Sequence, residues 1–120
     1  MSYEPRLQAL TERLVKFNTD RHWSQFHTPK DLAIALNLEA SELLEHFQWM
    51  NQAEMTKHIA DHKTGVGEEL ADALYTLLLM GHYFDIDIIA ALEAKMAQNE
   101  AKYPVEKANN SRAKYTEFTT

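Results

Sequence analysis

The chain has 120 residues, 18 acidic against 12 basic side chains for a net charge of −6, a hydrophobic content of 45%, and no cysteine. That length fits one small domain rather than two independent cores, the missing cysteine excludes a disulfide scaffold, and an acidic balance without a basic patch argues against nucleic-acid binding. Only three glycines and three prolines are present, too little turn chemistry for an all-β fold, so an all-α domain is expected.

The first helix is predicted from about Pro5 to Thr19, with Leu7, Leu10, Leu14 and Phe17 forming one apolar stripe at helical spacing. A polar, aromatic connection follows from Asp20 to His27. The second helix has a defined start, with Thr28 as N-cap, Pro29 at the first helical position and Asp31 in the first turn, and is expected to reach about Met50. Asn51–Gly67 is weakly amphipathic, with a short helix around Glu54–His62 closed by Gly65 and Gly67. A third long helix is predicted over Glu68–Phe84. A fourth starts after Asp85 or Asp87 and stops before Pro104, with Ile88, Ile89, Leu92 and Met96 as its core face.

Residues 1–120 therefore read as a single domain, a four-helix-bundle core over about 5–103 and a polar, mostly extended arm over about 104–120. The opening MSYEPRLQAL lacks the apolar core of a signal peptide, and the apolar stretch Leu70–Gly81 is interrupted by Asp72 and too short for a bilayer. A soluble cytoplasmic protein without membrane partner is expected. So small a bundle with so apolar a third helix favours a homo-oligomer.

On a helical wheel of the second helix, Asn37, Ser41, Glu45 and Gln48 share the solvent side. Glu39 and Glu42 fall instead in the sector of Leu32, Ala35, Leu36 and Leu43, where desolvating a carboxylate is costly unless compensated. The third helix is apolar nearly all round and should be buried, yet it carries Glu69 and Asp72 at the same i,i+3 spacing. Four acids converging between helices repel one another, and a hard cation with oxygen ligands relieves that repulsion. The bland alternative is two pairs of ordinary surface carboxylates. A di-iron centre is disfavoured because none of the six histidines has a Glu three residues before it. His58 and His62, at i,i+4 without a third nearby ligand, read as a solvated face. Trp23 and Trp49 are candidates for stacking on a base, Phe47 is assigned to the core, and His27 stands beside Trp23.

Trp23-Ser-Gln-Phe-His27-Thr-Pro-Lys-Asp-Leu, Glu39-Ala-Ser-Glu42-Leu, Phe47-Gln-Trp49, Glu68-Glu69-Leu-Ala-Asp72, and the later Lys102-Tyr103-Pro104 and Lys114-Tyr115-Thr116-Glu117 occur in that order. Together they resemble the MazG-like all-α nucleoside triphosphate pyrophosphohydrolases, with the short dCTP pyrophosphatase branch nearest in look. The resemblance implies an enzyme of nucleotide-pool house-cleaning that hydrolyses a (deoxy)nucleoside triphosphate, dCTP or a related dNTP, to monophosphate and pyrophosphate, acting as a dimer or a dimer of dimers. It implies Glu39, Glu42, Glu69 and Asp72 as catalytic ligands of Mg²⁺, with Mn²⁺ as a substitute, and Trp23, His27, Trp49, Thr76 and Lys102 as substrate contacts. The chain departs from that pattern in three places. The tyrosine expected four residues after the metal Asp is Thr76, with Tyr75 beside it; an N-terminal His is Leu14; and a glutamate that precedes the first ligand in dUTP-hydrolysing relatives is Leu38. The first two departures bear on the preferred base, leaving dUTP or dATP as rival substrates. A helical interaction module without turnover, and a phosphohydrolase releasing Pi, are the rival functions.

Overall fold

The structure, a computed structural model, describes residues 4–109 and 111–117, and among these all regular structure is helical. The chain divides into two compact units, Met1–Ile86 and Asp87–Thr120. The first holds α1 (Pro5–Asp20), α2 (Pro29–Glu45), α3 (Gln52–Asp61) and α4 (Lys63–Phe84), with a 3₁₀ turn at Trp23–Phe26. The second holds α5 (Ile88–Lys102), α6 (Val105–Ala108) and a 3₁₀ turn at Tyr115–Glu117. The arm expected to be mostly extended thus contains two short helical turns. Among the described residues no helix is long and apolar enough to cross a membrane.

The helix starts follow local chemistry. Glu4 accepts from the Leu7 N–H at 2.7 Å with Pro5 behind it, and Thr28 accepts from the Asp31 N–H at 3.1 Å. Asn51 and Glu54 form a reciprocal capping box, and Asp87 accepts from the Ala90 N–H at 3.0 Å. The end of α4 is turned by Asp85 in the left-handed region at φ 54°, a conformation that Asp tolerates better than most side chains.

Two boundaries differ from expectation. The second helix ends at Glu45 rather than near Met50, because the chain tightens into i→i+3 bonds from His46 to Leu43, Phe47 to Leu44 and Met50 to Phe47. Those bonds swing His46 and Phe47 against His58 of α3. Gly65 and Gly67 do not close α3, which stops at Asp61; both lie in the first turns of α4.

In the first unit α1, α2 and α3 all pack on α4. Among the described residues, Leu32, Leu78 and Leu79 are the buried apolar side chains, and three buried polar groups are hydrogen-bonded. Thr11 donates to the Leu7 carbonyl at 2.9 Å, Thr76 to the Asp72 carbonyl at 3.0 Å, and Asn18 to the Leu14 carbonyl at 2.8 Å and the Tyr75 hydroxyl at 2.5 Å. The expectation that α4 is buried all round is not met: Leu70, Leu74 and Leu77 are exposed. Three neighbours cannot cover a helix that is apolar on every side. Beside that uncovered face, α1 and α4 form a groove of about 350 Å³ lined by Leu10, Leu14, Phe17, Ala71, Leu74 and Leu78 together with Arg13 and Tyr75.

Candidate active site

The contact between α2 and α4 positions the site. Ligand atoms of Glu39, Glu42, Glu69 and Asp72 all lie within 4.8 Å of one another, so the two i,i+3 pairs meet across the helix interface. His46, one turn beyond Glu42, reaches to within 3.7 Å of where a Cβ on Gly65 would stand, one turn before Glu69. A forward step on α2 is therefore matched by a backward step on α4, and the two helices run antiparallel. Carried the other way, this register sets Leu32 opposite Leu79, both buried. Core layer and acidic layer belong to one seam.

Burial differs among the four acids. Glu39 and Glu69 are half-buried, and the Oε2 atom of each is shut off from solvent without a hydrogen-bond partner; Glu42 and Asp72 are exposed. Burial is the main cause that raises the Glu39 carboxyl above its ordinary pKa, followed by repulsion from Glu42 and Asp72. The Glu69 carboxyl is raised first by burial, then by a proton shared with Glu42 and by repulsion from Glu42 and Asp72, against a smaller lowering by His46. A shared proton needs one carboxyl to be neutral. With all four ionised, no carboxylate of the cluster can donate to the stranded oxygens. An all-oxygen donor set holding two stranded carboxylate oxygens fits a hard divalent cation.

The other expected contacts scatter. Trp23 lies before α2, edge-on to Phe17 at 5.6 Å between ring centroids, whereas Trp49 lies past its end and is 88% exposed. The seventeen residues of α2 between them span about 25 Å, so the two indoles of one chain cannot flank the same base. His27 is half-buried against Tyr83 of α4, with Nδ1 3.4 Å from the phenol oxygen. Thr76 sits one turn from Asp72 but is 5% exposed, and its hydroxyl is engaged by the backbone. Lys102 belongs to the second unit, with Nζ 5.0 Å from the centroid of the Tyr115 ring.

The sequence profile of the MazG-like family matches residues 34–118. The chain belongs to the MazG-like family. This MazG-like chain is 36% identical over 119 residues to dCTP pyrophosphatase 1 of Rattus norvegicus and 35% identical to that of Homo sapiens, covering 98% of itself and 70% of each relative. Its fold is similar to that of a crystallised pyrophosphatase from Archaeoglobus fulgidus DSM 4304, with a TM-score of 0.81, 37% identity, and coverage of 87% of this chain and 97% of that one. The all-α MazG-like fold is thus the one its sequence motifs imply.

One group of side chains escaped the sequence reading. His46 Nδ1 is 2.8 Å from His58 Nε2, and His58 stacks on His62 with centroids 4.3 Å apart and planes 17° from parallel. His58 is half-buried rather than part of a solvated face, and its pKa is lowered by burial first and by His62 and His46 next. His46 and His58 line a cleft of about 440 Å³ with Glu42, Glu45, Met50 and Glu69. The i,i+4 spacing of His58 and His62 was visible in the sequence. Their meeting with His46 depends on where α2 ends, which no local signal marks.

Proposed function

We propose that this MazG-like protein hydrolyses a deoxynucleoside triphosphate, dCTP or a close relative, to the monophosphate and pyrophosphate, with Mg²⁺ held by Glu39, Glu42, Glu69 and Asp72. The observation that carries the reading is the convergence of four carboxylates with two buried, partnerless oxygens. The names of the relatives, dCTP pyrophosphatase 1, support the substrate class. When bound, the cation, Mg²⁺ or Mn²⁺ in its place, neutralises triphosphate oxygens and makes a coordinated water more acidic.

The chain's own residues orient the reactants. Glu39 and Glu69 are fixed by burial in the α2–α4 seam, and Glu42 and Asp72 meet substrate from the exposed side. A water oxygen bonds to the α-phosphorus while the bond from that phosphorus to the α,β-bridging oxygen breaks. The electron pair leaves with pyrophosphate, and the water's proton passes to a carboxylate or to solvent. Leu38 precedes Glu39, so no extra carboxylate adjoins the first ligand to serve as base.

The nucleoside lies toward the start of α2, where Trp23, His27 and Thr76 are found. Since one chain cannot bring both indoles to one base, Trp49 comes from a second copy, which also covers the exposed leucines of α4 in a homodimer or dimer of dimers. The test is a panel of NTPs and dNTPs with Mg²⁺, scored separately for pyrophosphate, Pi and monophosphate. Equal amounts of pyrophosphate and monophosphate from a pyrimidine dNTP are expected. Release of Pi, or no turnover on any member, removes the reading.

A further inference from the structure

We infer that His46 and His58 form the seat for the departing pyrophosphate, binding the β- and γ-phosphates in the cleft beside the four acids. This rests on the triphosphate reading above and assigns an end of the substrate that the four carboxylates leave unassigned.

Position comes first. His46 is one helical turn, about 6 Å, beyond Glu42, and it packs over Gly65, one turn before Glu69. The histidine pair is thus the next layer of the α2–α4 seam after the acids. The opposite direction along the seam leads to Thr76 and toward His27 and Trp23. A triphosphate whose α-phosphorus sits at the acids, with its nucleoside toward Trp23, extends its remaining two phosphates toward His46.

The lining chemistry agrees. Of the side chains around the cleft, Glu42, Glu45 and Glu69 repel phosphate and Met50 offers no donor, so the two imidazoles are its N–H donors. Because His46 Nδ1 and His58 Nε2 engage each other at 2.8 Å, one ring donates and the other accepts. Whichever way that inner proton sits in the neutral pair, one of the two outer ring nitrogens carries an N–H. The pair therefore keeps one outer N–H in either tautomer, on a residue that lines the cleft. His62 stacks on His58 but is not among the residues that line the cleft. Trp49 is not among the lining residues, so the cleft holds no indole for a base.

Calorimetric titration of the Mg²⁺-loaded protein with pyrophosphate, and separately with the deoxynucleoside monophosphate, tests this alongside turnover. His46→Gln and His58→Gln are expected to weaken pyrophosphate binding about tenfold each, the size of one lost hydrogen bond, with monophosphate binding unchanged. His62→Gln, which removes a stacking ring outside the cleft lining, leaves both affinities unchanged, and circular dichroism holds in all three variants. The inference is overturned if pyrophosphate binding survives in both variants, if monophosphate binding falls instead, or if His62→Gln reproduces the loss. Absence of turnover in the wild-type protein with the pyrophosphate result intact would remove the hydrolase reading and leave the phosphate seat standing.

Discussion

Replacing Glu39 by Gln should change the stability of the protein in opposite directions with and without metal. The amide keeps the shape and removes one charge from a cluster whose ligand atoms lie within 4.8 Å of one another. At that separation each like-charge pair costs about 0.9 kcal/mol even in the dielectric of water, the appropriate limit for half-exposed groups. In EDTA the variant should therefore be more stable than wild type by on the order of 1 kcal/mol, or about 4 °C in Tm for a domain of this size. Mg²⁺ at one hundred times its dissociation constant adds about 2.7 kcal/mol to the wild type, roughly 10 °C. If losing one of four ligands weakens binding by about 100-fold, the same Mg²⁺ adds about 0.4 kcal/mol to the variant. The order of the two melting temperatures inverts between EDTA and Mg²⁺. Circular-dichroism melts at one fixed protein concentration read this directly. A variant that melts below wild type in EDTA, or that gains as much from Mg²⁺, refutes the account of the four acids as a cation site.

Asp72→Asn should abolish pyrophosphate release while the helical far-ultraviolet spectrum is kept; turnover at the wild-type rate would exclude this carboxylate as a ligand. The pH dependence follows from the raised Glu39 and Glu69 carboxyls. From about pH 4.5 up through their raised values the folded state holds more protons than the unfolded chain, so metal-free stability falls as pH rises across that window. The lowered His58 acts in the opposite sense, costing stability as pH falls below its ordinary value of 6.5. The readout is therefore the difference between melts with and without Mg²⁺, which should grow as pH rises from 4.5; a flat difference would contradict it. Leu79→Ala, at a side chain 2% exposed, should cost about 2–5 kcal/mol in chemical denaturation. Trp49→Ala, at a side chain standing clear of its own chain, should leave stability within about 0.5 kcal/mol while raising KM for the dNTP. An unchanged KM would remove Trp49 from the nucleotide.

The acidic layer was legible because its signal is local. Two i,i+3 pairs on the wrong side of amphipathic helices need no knowledge of the partner helix, and Thr28-Pro29 with Asp31 announces the start of α2 just as plainly. What the sequence hides is decided by tertiary contact. Helical propensity carries α2 past Glu45, but the ring contacts of His46 and Phe47 with His58 go with a tightened turn there and bring three histidines together. Gly65 and Gly67 look like stops, yet α4 begins at Lys63, and His46 packs over Gly65 at a distance where a Cβ would make ordinary contact. Uniform apolarity in α4 identifies surface that must be covered without saying by what, and Leu70, Leu74 and Leu77 stand exposed in the single chain. The family motifs contain both tryptophans, but only the length of α2 reveals that one chain holds them too far apart to share a base.

At the proposed cation site, the antiparallel register of α2 and α4 has a consequence for ion selectivity. All four ligands project from two rigid cylinders and none from a loop, so the gap available to a cation is fixed by how closely the cylinders approach. That approach is governed in turn by the girth of whatever fills the neighbouring layers: Ala35 and Thr76 on one side, Gly65 under an imidazole on the other. Enlarging a side chain in either layer should push the helices apart and disfavour a compact ion that tolerates little slack. Preference for one metal over another is in this way entrusted to residues that never touch it.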